Sequence, residues 1–145
     1  MFFFRGRVSG VVWPNRCCVF IKLMDRVCRI LAVDNETAVT TSLRFVFDSP
    51  RYNITCVSSG ADALAHLNCP TPFDVIIVDQ KMPNLTGVEL VREIRKRRID
   101  GKIIVVSANL SAEICEAYKR MDVSVIFSKP FDIRQIRSTV DQLTD

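Results

Sequence analysis

The sequence lacks the residues that most metal and redox sites need. It contains one histidine, His66, and none of its six cysteines forms a C-x-x-C pair, which excludes a zinc site built from Cys and His ligands. The cysteines are dispersed among apolar residues, at positions 17, 18, 28, 56, 69 and 115. Such dispersed cysteines are typical of reduced thiols, so we expect a cytoplasmic protein.

Long apolar runs and glycine-rich loops are also missing. No run approaches the ~18–20 apolar residues that span a bilayer, and no uninterrupted apolar segment near residue 1 has the length of a signal peptide. With five glycines in 145 residues, the chain has no Gly-rich phosphate loop. These absences exclude a membrane span and disfavour a nucleotide or flavin carrier.

A strong charge bias is absent from most of the chain. The formal net charge of +4 comes from residues 1–24, which contain four basic residues and no acidic one (Arg5, Arg7, Arg16 and Lys22). Residues 25–145 balance 16 basic against 16 acidic side chains. We therefore expect no nucleic-acid partner.

Residues 1–23 differ from the rest, because their apolar stretches are short and interrupted by basic residues and Pro14. They fit an unstructured tail, a short extra strand over 17–21, or a segment that is not translated in the cell. We favour the last interpretation, since Met24 lies just before the first strong strand. The prediction is a tail of doubtful structure or translation over 1–23 and one domain over 24–145.

From residue 29 onward, buried strands alternate with amphipathic helices. Strands are predicted over 30–33, 53–57, 74–78, 103–106 and 124–127, and helices over 37–47, 59–67, 87–98, 111–121 and 132–143. This alternation predicts an α/β fold: a flavodoxin-like, doubly wound, five-stranded parallel sheet with helices on both faces. Right-handed crossovers with one reversal of winding give the strand order 2-1-3-4-5.

Four polar side chains follow strands that end at the same edge of this sheet. Asp34 follows strand 1, Asp79 strand 3, Ser107 strand 4 and Lys129 strand 5. Singly, each has an ordinary explanation, such as a helix cap, a turn or a solvated surface residue. Together they suit phosphoryl transfer, in which a carboxylate accepts the group while Mg²⁺, an ammonium and a hydroxyl balance its oxygens.

Four motifs carry a resemblance to a known family: ILAVDNE (30–36), VIIVDQKMPNLTG (75–87), IIVVSA (103–108) and FSKPF (127–131). In this order, they make residues 29–145 resemble a two-component response-regulator receiver domain, similar to the stand-alone chemotaxis type. The resemblance implies a phosphorelay signalling domain that catalyses its own aspartyl phosphorylation and dephosphorylation and is not an enzyme in the usual sense.

The resemblance also implies roles for individual residues. Asp79 would accept the phosphoryl group from the phosphohistidine of a sensor histidine kinase or phosphotransfer protein. Ser107 would bond a phosphoryl oxygen, Lys129 would pair with phosphorylated Asp79, and the peptide bond before Pro130 would be cis. The Mg²⁺ ligands would be Asp34, Asn35, Asp79 and the Lys81 backbone carbonyl.

Two residues depart from the family pattern. Asn35 replaces a ligating carboxylate, which should weaken Mg²⁺ binding by about 1–3 kcal/mol. Ile126 replaces the aromatic residue of the usual switch, and strand alternation sends Phe127 to the opposite face of the sheet. These departures keep open a pseudo-receiver that docks without being phosphorylated.

A third possible class is a hydrolase that works through an aspartyl intermediate. Phosphatases of that kind have a D-x-D pattern after strand 1, whereas this chain has Asp34-Asn35-Glu36 there.

The surface over residues 111–143, from helix 4 through strand 5 to helix 5, is the family's usual face for a downstream target protein. The oligomeric state, the kinase and the target are left open.

Overall fold

The computed structural model of the chain describes residues 7–8, 11–12 and 26–145. The backbone of Arg7–Val8 pairs antiparallel with that of Val11–Val12. The strand considered over 17–21 lies outside the described residues, and the domain boundary at residue 24 stays a prediction. Among the described helices, none has both the length and the apolar character needed to cross a bilayer.

Five strands and five helices alternate along residues 28–144 and confirm the predicted architecture. The strands all run parallel, in the order β2-β1-β3-β4-β5. Their bounds are β1 Cys28–Val33, β2 Tyr52–Val57, β3 Val75–Asp79, β4 Lys102–Ser107 and β5 Val125–Ser128. The helices are α1 Thr37–Val46, α2 Gly60–Leu67, α3 Gly87–Lys96, α4 Ala112–Arg120 and α5 Ile133–Thr144.

The predicted helix ends are wrong by one or two residues where capping decides the boundary. Ser59 and Asp132 are N-caps and not the first helical residues, because their side chains accept hydrogen bonds from backbone N–H groups of the first turn. Ser111, at the start of the segment predicted over 111–121, is the N-cap of α4, as a serine at that position predicts. The helix predicted over 87–98 ends at Lys96, and Arg98 has a positive φ of 58°, which a continuing α-helix does not allow.

Strand alternation divides the core into two layers, one on each face of the sheet. Ile76 and Val78 face the layer covered by α2, α3 and α4, whereas Val75 and Ile77 face the layer covered by α1 and α5. The central strand β3 is buried along its whole length, and its last residue, Asp79, is a carboxylate at the edge of the sheet.

Candidate functional site

Two buried carboxylates meet at the carboxyl edge of the sheet. Asp34 follows β1 directly, and Asp79 is the last residue of β3; they are 3% and 2% exposed. They are neighbours because Val33 pairs with Val78 in the parallel ladder. Glu36 completes the group, since one carboxylate oxygen from each of the three residues lies within 4.8 Å of the others.

Local backbone contacts orient the first carboxylate. The backbone N–H of Asp34 donates to the Val57 carbonyl of β2 at 3.1 Å, which continues the ladder one residue past β1. The Asp34 Oδ1 atom then accepts the backbone N–H of Glu36 at 2.8 Å. This turn leaves Oδ2 of Asp34 free to face the ammonium of Lys129.

Lys129 brings a cation into the middle of the acidic group. Its backbone N–H donates to the Ser107 carbonyl at 2.8 Å, and its peptide bond to Pro130 is cis, as the resemblance implied. Its Nζ atom lies 2.9 Å from Glu36 Oε1, 3.3 Å from Asp34 Oδ2 and 3.3 Å from Asp79 Oδ1. The ammonium therefore bridges all three carboxylates.

The two central groups have shifted pKa values in the same direction. Burial and then the charge of Asp34 raise the pKa of Asp79, while Lys129 and the Lys81 backbone N–H oppose the rise. Burial works against the charged form of Lys129, but the hydrogen bond to Glu36 and the charges of Asp34 and Asp79 raise its pKa above the ordinary value. Lys129 is therefore a cation at neutral pH.

The hydroxyl predicted for this edge is present and engaged. Ser107 is 2% exposed at the end of β4, next to Asp79 because Asp79 pairs with Val106. Its Oγ donates to the Asn109 carbonyl at 3.0 Å and accepts the Asn109 backbone N–H at 3.3 Å. To bond another group, this hydroxyl has to give up the contact with the Asn109 carbonyl.

The donor set fits a hard divalent cation. Mg²⁺ takes oxygen ligands at about 2.1 Å, so opposite ligands lie about 4.2 Å apart. One oxygen each from Asp34, Glu36 and Asp79 lies within 4.8 Å of the other two, which is compatible with a cation shared by the three carboxylates. Asn35 is exposed and lines the same cavity as Asp34.

Two residues of this region, Gln80 and Tyr118, escaped sequence reasoning as members of the site. Glu36, whose position two residues after Asp34 favours a role near the metal, holds Lys129. Gln80 and Tyr118 form a hydrogen bond between the loop that follows Asp79 and α4. In the sequence, Tyr118 looks only like an apolar position of an amphipathic helix.

The expected separation of Ile126 and Phe127 is confirmed. Ile126 packs against the layer under α2, α3 and α4, and Phe127 packs against the opposite layer. Position 126, where the resemblance suggested an aromatic residue, therefore has an aliphatic side chain. Tyr118 is an aromatic residue whose hydroxyl reaches the loop that follows Asp79.

Comparisons with known proteins agree with this geometry. The family model "Response regulator receiver domain" matches residues 30–141. The sporulation initiation phosphotransferase F of Bacillus subtilis is 27% identical over 112 residues, covering 77% of this chain and 90% of that protein. Response regulator MprA of Mycobacterium leprae is 31% identical over 117 residues, covering 79% and 50%. The chain spans 19% of a matching putative transcriptional regulator of Haloferax volcanii.

Solved structures show the same fold. The receiver domain of Francisella response regulator 1452 is 28% identical, with a TM-score of 0.73, covering 81% of this chain and 96% of that one. The chemotaxis protein CheY4 of Vibrio cholerae is 25% identical, with a TM-score of 0.73, covering 81% and 98%. The matched part is the five-stranded domain that carries the acidic group.

Proposed function

The chain belongs to the response regulator receiver domain family, and from this membership we propose that Asp79 accepts a phosphoryl group from the phosphohistidine of a sensor histidine kinase or a phosphotransfer protein. The observation that carries the proposal is the position of Lys129, whose Nζ lies 3.3 Å from both Asp34 and Asp79. A buried carboxylate beside an ammonium and a second carboxylate suits acceptance of a dianionic group.

The transfer is a single displacement at phosphorus. A carboxylate oxygen of Asp79 forms the new O–P bond while the bond from phosphorus to the donor's histidine nitrogen breaks, and that nitrogen keeps the electron pair. No proton has to leave Asp79, provided that it is ionised. Because the pKa of Asp79 is raised, its carboxylate becomes ionised at a higher pH than that of an ordinary aspartate.

Mg²⁺ is the cofactor of this proposal. The residues that would hold it are Asp34, Asp79, the amide oxygen of Asn35 and the Lys81 backbone carbonyl, with Glu36 near enough to add a charge. When bound, the ion neutralises phosphoryl oxygens during transfer. Asn35 contributes no charge, so Glu36 is the nearby residue that offsets this loss.

Lys129 and Ser107 act on the phosphorylated form. Lys129 stays protonated and pairs with a phosphoryl oxygen on Asp79, while the Ser107 hydroxyl turns from Asn109 to bond a second oxygen. The same groups favour phosphorylation and later hydrolysis of Asp79, so the domain catalyses its own reactions. Its purpose is signalling and not turnover of a metabolite.

The signal is passed on by protein–protein contact. We assign the outgoing contact to the face formed by α4, β5 and α5, which is the family's usual face for a target protein. β5 is one of the two edge strands of the sheet, and its residues are half-buried or exposed. Nucleic acid and membrane are not partners in this proposal. A cytoplasmic location is part of it, in keeping with four free thiols in the described part of the chain.

The test is phosphoryl labelling with acetyl phosphate and Mg²⁺. Intact-mass measurement should show one added phosphoryl group on the wild type and none on Asp79→Asn. The matched control is Asp48→Asn, which removes an exposed carboxylate beyond α1 and should label normally. The absence of label on the wild type at saturating donor and Mg²⁺ overturns the proposal.

A second candidate is a pseudo-receiver that docks to a partner without being phosphorylated. Two observations favour it: Asn35 withholds a carboxylate, and Glu36 holds Lys129 at 2.9 Å. The labelling experiment separates the candidates, because a pseudo-receiver stays unlabelled and binds its partner equally well with and without acetyl phosphate.

A further inference from the structure

Tyr118 of α4 is completely buried and points its hydroxyl at the loop over residues 80–86, which follows Asp79 and is called the acceptor loop below. It is among the largest fully buried side chains and belongs to the layer beneath α2, α3 and α4. Its hydroxyl donates a hydrogen bond to Oε1 of Gln80, the residue that follows Asp79. A buried phenol without this acceptor would leave an unpaired donor, so the contact strongly determines where α4 sits.

Gln80 also forms hydrogen bonds with the start of α3 and with β4. Its Oε1 atom also accepts the backbone N–H of Val88 at 3.1 Å, and its backbone carbonyl accepts the N–H of Gly87 at 2.9 Å. Its own N–H donates to the Val106 carbonyl at 3.0 Å. One residue therefore ties the loop after Asp79 to α3, α4 and β4.

Gly87 leaves the space through which the hydroxyl approaches. A β-carbon at position 87 would lie 2.5 Å from the Tyr118 hydroxyl oxygen and 2.8 Å from the Asp79 carbonyl oxygen. The hydroxyl and the backbone of the phosphoacceptor thus face the same small gap. A side chain at position 87 would push α4 away from the site.

We propose that Tyr118 is a positioning residue for Asp79: through its hydrogen bond to Gln80, it couples the placement of α4 to the geometry of the loop that completes the phosphorylation site. The inference rests on the proposed function and adds a regulatory route to it. Movement of α4 alters the phosphorylation site, and by linkage phosphorylation alters α4.

The route acts through the residue after Gln80. The Lys81 backbone N–H lowers the pKa of the Asp79 carboxyl by favouring its charged form, and the Lys81 carbonyl is a proposed Mg²⁺ ligand. Rotation at Gln80 displaces both groups. The phenol stays a donor throughout, because burial and then the charge of Asp79 raise the pKa of Tyr118.

Tyr118 can also supply the aromatic link that is missing at position 126. Tyr118 lies on α4, the helix that precedes β5, and contacts the acceptor loop from the layer that Ile126 also borders. An aromatic side chain is therefore available to link the site to the outgoing face, but it comes from a helix and not from the edge strand.

The test uses Tyr118→Phe, which removes one oxygen atom and keeps the ring. Mg²⁺ affinity is measured from backbone amide shifts in an NMR titration, and the rate of phosphorylation from acetyl phosphate labelling at saturating Mg²⁺. We expect Tyr118→Phe to weaken Mg²⁺ binding or slow labelling by about two- to tenfold, the equilibrium cost of one lost buried hydrogen bond. Beryllofluoride should shift the amides of residues 112–120 in the wild type and shift them less in the variant.

The matched control is Tyr52→Phe. Tyr52 is 7% exposed, and its hydroxyl donates to the Asp141 carboxylate in the opposite layer, away from Asp79. Removal of a purely structural hydroxyl lowers the free energy of unfolding and leaves Mg²⁺ affinity and labelling rate unchanged. We expect this behaviour of Tyr52→Phe and not of Tyr118→Phe.

A second variant keeps the test decisive. In a Gln80→Leu background, Tyr118→Phe should have no further effect on Mg²⁺ affinity or labelling, because the bond it removes is already lost. Wild-type behaviour of Tyr118→Phe at the site, or full additivity with Gln80→Leu, overturns the inference. A wild type that takes no label overturns the proposed phosphorylation instead, and the Mg²⁺ titration still decides the role of Tyr118.

Discussion

Replacing Asp79 with asparagine should make the protein more stable in the absence of Mg²⁺, even though it removes the proposed phosphoacceptor. Asp79 shares the site with two carboxylates and one ammonium, and it is 2% exposed. Asparagine has nearly the same shape but no charge. The change therefore isolates the energetic cost of holding a carboxylate at this position.

The magnitude follows from the distances. The ammonium of Lys129, 3.3 Å away, attracts Asp79 by about 5 kcal/mol at an effective dielectric constant of about 20. Asp34, with an oxygen within 4.8 Å, repels it by about 3.5 kcal/mol, and Glu36 adds about 2 kcal/mol because its side chain is 58% exposed and solvent screens it.

These attractive and repulsive energies nearly cancel, so desolvation of the carboxylate determines whether Asp79→Asn raises or lowers the free energy of unfolding. Burial is also the leading cause of the raised pKa of Asp79. Removing the buried charge, while the amide still costs some desolvation, should raise the free energy of unfolding by about 1–2 kcal/mol.

Urea unfolding in EDTA at several pH values provides the assay. The folded-state pKa of Asp79 is raised, so its ionised carboxylate lowers the free energy of unfolding. This loss of stability is absent below the unfolded pKa of about 3.9, grows as the pH rises from there to the folded pKa, and is complete above it. The stability difference between Asp79→Asn and the wild type should therefore be largest near neutral pH and shrink towards about pH 4.5. Added Mg²⁺ should stabilise the wild type more than the variant.

The matched control is again Asp48→Asn, whose carboxylate is exposed and should leave stability within about 0.5 kcal/mol. An Asp79→Asn variant that is less stable than the wild type in EDTA at neutral pH would refute the reasoning. It would mean that the attraction of Lys129 outweighs repulsion and desolvation together.

Further changes test neighbouring residues. Asn35→Asp should tighten Mg²⁺ binding by about 1–3 kcal/mol in calorimetric titration, and an unchanged affinity would remove position 35 from the ligand set. Glu36→Gln should lower the pKa of Lys129, because it removes the charge that Nζ meets at 2.9 Å; NMR titration of the Lys129 ammonium measures this, and a stable pKa would contradict it. Gly87→Ala should lower the free energy of unfolding by about 1–3 kcal/mol in urea, since its β-carbon would lie 2.8 Å from the Asp79 carbonyl oxygen, and wild-type stability would show that the loop yields freely. The rate of labelling should rise with pH through the raised pKa of Asp79, because only the ionised carboxylate attacks, and a pH-independent rate would count against that role.

Much of the site could be predicted because strand ends are local features of the sequence. The apolar run over 75–78 predicts a buried strand, and Asp79 closes it. The strand order then brings Asp34 beside Asp79, as the pairing of Val33 with Val78 confirms. Ser107 and Lys129 follow the same logic at β4 and β5.

The orientation of side chains at that edge could not be predicted in the same way. Ser107 turns towards Asn109, and Lys129 takes Glu36 as its nearest carboxylate partner. These choices depend on distances of a few tenths of an ångström, which residue types and spacing do not encode. The helix starts next to Ser59 and Asp132 were likewise decided by capping bonds.

The sequence by itself determined the layered fold and which polar residues gather at one edge, because apolar periodicity and strand ends are read from neighbouring residues. Tertiary structure alone decided that Glu36 meets Lys129, 93 residues away, and that Tyr118 meets Gln80, 38 residues away. In each pair, the contact exists because helices and loops from distant parts of the chain pack at the same sheet edge.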